Sequence, residues 1–292
     1  MEVSAGRFAS PAKINLGLRI LGKRPDGYHA IETILLMLDL CDWLSFRAND
    51  LGTIALTCSP PTLPTDERNL IMRAARSLQQ AKHVSQGVTI TLEKHIPIAA
   101  GLGGGSSNAG TALLALNHAW GLHCPMPVLH HLAAQLGSDV PFFLNGPTAL
   151  AAGRGEVLSL IPSPPLTGVL VNPGFGVSAG WAYGQFGGRS LATDRTMAII
   201  RRALQDQDLS LLAAAIVNDL EPGVAAAYPV IREMQAALRT VGAVATFLSG
   251  SGPTVCGVFS HATGVQQAIA RLARRPEWIA IPFATRSKSP HS

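Results

Sequence analysis

The stretch that most constrains this chain is "PIAAGLGGGSSNAG" at residues 97–110, where Gly101, Gly103, Gly104 and Gly105 crowd together. Glycine loses more backbone freedom on folding than any other residue, so such a cluster needs a positional reason. The alternating "VTITL" (88–92) enters it as a strand, and "SSNAGTALLALNHAW" (106–120) leaves it as a helix, with serine at the expected N-cap and Gly121 just past the end. A linker or tight turn is one reading. The other is a backbone cradle whose N–H groups converge on an anion at a helix start. The order strand, glycine loop, helix favours the cradle. Neither common phosphate fingerprint fits: a P-loop needs lysine after its last glycine, and a dinucleotide loop needs glycine where Ser106 stands. A P-loop fold and a Rossmann fold are therefore both disfavoured, while a phosphate at Gly103–Ser107 remains the expectation.

In "KINLGLRI" (13–20) apolar and other residues alternate, which predicts a half-buried strand with Lys13 and Asn15 on one polar face, about 7 Å apart. "RPDGYH" (24–29) reads as a turn. Strands are expected near 31–40 and 53–57, helices over 67–83 and 126–136, the latter stopping at Gly137, and a hairpin over 148–161 bent at Gly153–Gly155. The prolines of 159–168 mark a domain boundary, dividing 1–160 from 161–292. Beyond it come a strand (168–171), helices between 179 and 240, strands at 243–248 and 254–259, a helix (262–274) and a strand (278–283). That order is the split βαβ, ferredoxin-like pattern with added helices, in an α+β chain.

Composition narrows the function. With 292 residues the chain has room for two domains, and 47% hydrophobic residues supply their cores. The apolar stretch "AIETILLMLDL" (30–40) is too short to span a bilayer and carries Glu32 and Asp39, so a soluble cytoplasmic protein is expected. Cys41, Cys58, Cys124 and Cys256 form no CxxC pair and read as buried free thiols. The net charge of +5 is dispersed rather than gathered into a nucleic-acid patch, and suits a phosphorylated small substrate equally well. No nucleic-acid or membrane partner is expected.

Three stretches join the glycine loop: "PAKINLGL" with Lys13, "GSDVPFF" with Asp139 between a glycine stop and a proline, and the glycine-serine turn "LSGSGPTV" (248–255). Together they resemble the GHMP kinase superfamily over nearly the full length. The resemblance implies a two-domain GHMP kinase fold, with a ribosomal-S5-domain-2-like N-terminal domain, a ferredoxin-like C-terminal domain and the active site in the cleft between them. Within the superfamily, "GKRPDGYH", "SDVPFFL" and "NDLE" (218–221) point to the branch that uses ATP to phosphorylate the 2-hydroxyl of a cytidine-diphosphate-linked polyol, on the non-mevalonate route to isoprenoid precursors. Homoserine and mevalonate kinases are the rivals within the fold, and they have no pyrimidine for "RPDGYH" to bind.

The resemblance places the catalytic pair on Lys13 and Asp139. An alcohol is a poor nucleophile, so a carboxylate must orient it and accept its proton, while a lysine stabilises charge on its oxygen. The ATP-binding stretch falls on Pro97, Ile98, Ala99, Ala100, Gly101, Leu102, Gly103, Gly104, Gly105, Ser106 and Ser107. Substrate contacts fall on Asn15, Tyr28, His29, Lys94 and Tyr183: aromatic faces for stacking, and polar atoms for a pyrimidine edge or a phosphate. Relatives often carry threonine where Ala179 stands, so that either Ser178 supplies that hydroxyl or the contact is absent. Magnesium is expected with ATP, with Ser107 as one candidate ligand and no protein-held metal site announced by a carboxylate cluster.

Overall fold

The structure, a computed structural model, describes residues 6–49 and 51–288. Its first half runs β1 (Arg7–Lys23), β2 (His29–Asn49), β3 (Ile54–Ser59), α1 (Leu70–Ala81), β4 (Gly87–Glu93), α2 (Gly104–Ala119), α3 (Met126–Leu136), α4 (Phe142–Asn145), β5 (Thr148–Ala152) and β6 (Val157–Leu160). The strands form one sheet in the order β3–β4–β2–β5–β6, with β1 antiparallel to β2. β2 is long enough to pair with β4 over Trp43–Asn49 and with β5 over Thr33–Leu36.

α1 starts at Leu70, three residues inside the expected 67–83, because the Asn69 side chain caps it, accepting from the Ile71 N–H at 3.0 Å. Its apolar stripe, including Ile71 and Leu78, packs with Leu113 and Leu116 of α2 against Leu44, Phe46 and Ile90 of the sheet.

The second half runs β7 (Thr167–Asn172), α5 (Ala179–Gly184), α6 (Thr196–Gln205), α7 (Leu209–Ala215), α8 (Glu221–Ala227), α9 (Val230–Thr240), β8 (Ala245–Leu248), β9 (Val255–Phe259), α10 (Ala262–Leu272) and β10 (Ile279–Ala284). Its antiparallel sheet has the order β10–β7–β9–β8, the arrangement the split βαβ pattern predicts.

The two sheets share a core. Ile14 and Leu16 of β1 and Ile34, Leu36 and Leu38 of β2 pack with Leu170, Phe247, Cys256 and Phe283 of the second sheet and with Met197 and Ile200 of α6. A fully buried side chain of this size contributes about 1.5–3 kcal/mol, so this contact holds the halves in a fixed relation. It also changes the reading of β1. The expected half-buried strand is covered on both sides, with Ile14 and Leu16 in the shared core and Lys13 and Asn15 also buried.

α2 departs from expectation at its start. The N-cap is Gly103, not a serine, in the left-handed region at φ +68°, and no side chain caps the helix. Only glycine adopts that conformation at little cost. The N–H groups of the first turn, Gly104 to Ser106, therefore have no acceptor within the helix. α3 spans 126–136 and stops at Gly137 as predicted. All four cysteines are free and buried, and burial pushes the thiols of Cys41, Cys58 and Cys256 up. Among the described residues no helix is long and apolar enough to cross a membrane.

Candidate active site

Lys13 sits on β1 with its side chain only 5% exposed, so its charge must be met inside the protein. Its ammonium donates to Asn15 Oδ1 at 2.6 Å and to the Gly101 carbonyl at 2.9 Å, and lies 3.4 Å from Asp139 Oδ2. Three partners match three donors. Asp139 stands in the turn between α3 and α4 and is 34% exposed, so its carboxylate faces both the lysine and open space.

The glycine loop is clamped from two sides. The Lys13 N–H donates to the Leu102 carbonyl at 2.9 Å, and the Ser249 hydroxyl, from the turn after β8, donates to the Gly101 carbonyl at 3.0 Å. The Asn15 N–H in turn donates to Ser249 Oγ at 3.3 Å. A Cβ on Gly103 would stand 2.8 Å from Lys13 Cγ, and one on Gly104 2.8 Å from Lys94 Nζ. The turn itself passes through left-handed Gly250 and Gly252.

Two clefts meet here. The first, about 490 Å³, is lined by Pro97 through Ser106 together with Arg68, Asn69, Lys94 and Ser178. The second, about 690 Å³, is lined by Lys13, Asn15, Lys23, Tyr28, His29, Asp139, Arg154 and Tyr183. Ser106, Ala179 and Ser251 line both, so the clefts join beside the first turn of α2. In the second cleft, His29 and Tyr183 stack with ring centroids 5.3 Å apart at 16°. Tyr28 is 54% exposed, with the Arg154 guanidinium 4.9 Å from its ring centre. Burial, with the nearby Asp139 charge adding to it, pushes the Tyr183 phenol up and keeps it a hydrogen-bond donor.

The signature of the GHMP kinases N terminal domain matches residues 69–147, and that of the GHMP kinases C terminal domain matches residues 200–277. The chain belongs to the GHMP kinases. Among curated relatives, a 4-diphosphocytidyl-2-C-methyl-D-erythritol kinase from Pelotomaculum thermopropionicum is 44% identical over 92% of this chain and 94% of its own. One of the same name from Chlorobium chlorochromatii is 42% identical over 89% and 91%. A solved 4-(cytidine 5'-diphospho)-2C-methyl-D-erythritol kinase superposes with a TM-score of 0.81 at 30% identity, covering 97% of this chain and all of that one. Homoserine kinase from Cytophaga hutchinsonii superposes at 0.77 but at 19% identity over 97% and 95%, which speaks for the fold alone. As a GHMP kinase the protein is an ATP-dependent small-molecule kinase.

The structure redistributes several of the residues expected in the kinase site. Asn15 lines the second cleft, but its oxygen is taken by Lys13 and its amide donates to Thr33 Oγ1 at 3.1 Å, so it orients the lysine. Lys94, expected to meet a substrate or a nucleotide phosphate, lines the glycine-loop cleft, its ammonium paired with buried Asp42. Burial pushes that ammonium down, against the pull of the Asp42 charge. Ser107 does not line the loop cleft: it is fully buried and hydrogen-bonded to Ser10 Oγ at 2.8 Å. Ser178 lines the glycine-loop cleft and caps α5, accepting from the Trp181 N–H at 3.5 Å. Tyr183 already has His29 stacked on it.

Other residues escaped the sequence reading. Arg154, in the bend between Gly153 and Gly155, reaches the second cleft with Lys23. Asn218 and Asp219 of "NDLE" brace the site: Asn218 Nδ2 holds the glycine-serine turn, donating to the Leu248 and Gly250 carbonyls at 2.9 and 2.8 Å, and Asp219 ties the two halves together by accepting from the Ile20 N–H at 2.7 Å. Among the described residues no three His, Cys, Asp or Glu side chains gather as a metal site.

Proposed function

We propose that this kinase transfers the γ-phosphoryl group of ATP to the 2-hydroxyl of 4-diphosphocytidyl-2-C-methyl-D-erythritol, on the non-mevalonate route to isoprenoid precursors. The observation that carries the reading is that the cleft holding Lys13 and Asp139, 3.4 Å apart, joins the glycine-loop cleft at Ser106, Ala179 and Ser251. ATP, arriving with magnesium, takes the glycine-loop cleft, and its phosphates meet the uncapped N–H groups at the start of α2. Asp139 accepts the proton of the 2-hydroxyl, and that oxygen bonds to the γ-phosphorus. The bond from that phosphorus to the β,γ-bridging oxygen breaks and ADP departs. Lys13 fixes Asp139 and places positive charge beside the reacting oxygen.

The cytidine half extends along the second cleft. Tyr28 offers an exposed face for the base and His29 a polar edge beside it. Lys23 and Arg154 supply the positive charge a diphosphate needs. We place the division between the nucleotide-binding and C-terminal domains at residue 161, within the segment joining β6 to β7. The four buried thiols suit a reducing compartment, and we assign the enzyme to the cytoplasm.

ADP release measured against the cytidylylated methylerythritol, mevalonate and homoserine tests the assignment. Turnover is expected with the first alone. Comparable efficiency with either other alcohol overturns the substrate assignment and leaves the GHMP kinase chemistry.

A further inference from the structure

Asp42 on β2 is fully buried, and its carboxylate is met by four donors. Oδ1 accepts from the His95 N–H at 2.7 Å and the Ile96 N–H at 2.8 Å, while Oδ2 accepts from Asn108 Nδ2 at 2.9 Å and from the Lys94 ammonium. A buried carboxylate needs such partners wherever it stands. Here they all come from the two segments that flank the glycine loop: Lys94, His95 and Ile96 lead into Pro97, and Asn108 follows Ser107. Asn108 Nδ2 also donates to Ser10 Oγ at 2.8 Å, and Ser10 is hydrogen-bonded to Ser107 Oγ. One side chain thus ties down both ends of the loop.

Charge gives the same arrangement a second consequence. Lys94 Nζ lies 2.8 Å from the point a Cβ on Gly104 would occupy, beside the first residue of α2. An ammonium next to the positive end of a helix is unfavourable without a counter-charge. Asp42 supplies that charge on one side, while the glycine-loop cleft lies open on the other.

We propose that Asp42 is a positioning residue for the nucleotide: it sets the shape of the phosphate cradle through both ends of the loop, and its charge through Lys94. The inference rests on the reading that ATP occupies the glycine-loop cleft. Asp42→Asn keeps the side chain's size but turns an N–H donor toward the donors of Lys94 and Asn108. Asn108→Ala removes one donor and the link to Ser10 while leaving the Asp42–Lys94 pair in place.

Calorimetric titration with ATP and thermal unfolding, on wild type and both variants, test it. The expected result is an ATP dissociation constant raised at least about tenfold in Asp42→Asn and about three- to tenfold in Asn108→Ala, the size of lost hydrogen bonds to a charged group. The Michaelis constant for the alcohol should stay within about twofold of wild type, since the second cleft does not touch this network. A lower unfolding temperature with unchanged ATP affinity means a purely structural carboxylate and overturns the proposal. If Asp42→Asn does not fold, Asn108→Ala decides it alone. Wild type that fails to bind ATP removes the underlying reading as well, whereas tight wild-type binding with unaltered variants removes this proposal only.

Discussion

Lys13 and Asp139 face each other across 3.4 Å, one nearly sealed in the protein and the other a third exposed. The lysine's other contacts, Asn15 and the Gly101 carbonyl, belong to the protein itself, so the aspartate is the member of the pair open to an alcohol. Asp139→Asn keeps the shape and loses the base. Turnover should fall by about two to four orders of magnitude, with ATP affinity nearly unchanged. Steady-state kinetics beside ATP titration checks this, and a variant within a few-fold of wild type would remove Asp139 from the base role.

Adjacent glycines of the loop should fail in different ways. A side chain at Gly103 meets Lys13 Cγ and Cε at 2.8 and 2.9 Å and also demands a left-handed backbone. A side chain at Gly104 meets Lys94 Nζ and Ile96 instead. Gly103→Ala should therefore lower kcat by displacing the catalytic lysine, whereas Gly104→Val should chiefly weaken ATP binding. Measuring kcat and ATP affinity for both separates the two. Identical profiles would show that the loop responds as a unit and that neither contact is specific.

What could be read from the sequence was whatever is local. The glycine loop announced itself by composition, and the second sheet by the order of its strands and helices. Lys13 and Asp139 stood inside motifs that resembled a known family. The misreadings came from long-range pairing. Asn15 looks like a free amide on a strand, and nothing nearby shows that Lys13 and Thr33 occupy it. Asp42 in "DLCDWL" belongs to no motif, because its partners lie beyond residue 90. The N-cap of α2 was assigned to serine by propensity, but the left-handed turn at Gly103 starts the helix earlier.

The thiols offer a test of the core. Cys41, Cys58, Cys124 and Cys256 are all buried, and burial pushes the thiols of Cys41, Cys58 and Cys256 up, away from the reactive thiolate. A chromogenic thiol reagent near neutral pH should react slowly with the native protein and with all four cysteines once it is denatured. Fast reaction of even one in the native protein would place that cysteine at the surface, against this packing.

The cytidine end can be tested without disturbing the chemistry. Tyr28 is exposed, with the Arg154 guanidinium over its ring, so Tyr28→Ala should change stability by no more than about 0.5 kcal/mol. If its ring takes the cytosine, losing the stack costs about 1–3 kcal/mol, a rise of roughly 5- to 150-fold in the Michaelis constant for the cytidylylated substrate. The constant for ATP should not move, because Tyr28 lines only the second cleft. Remote binding energy also helps to orient the reacting centre, so methylerythritol phosphate lacking the cytidine should lose turnover as well as affinity. Arg154→Ala removes a charge rather than a ring, and its effect should shrink as salt rises while that of Tyr28→Ala stays constant. Equal efficiency with and without the cytidine, or a Tyr28→Ala enzyme indistinguishable from wild type, would take the base out of this cleft.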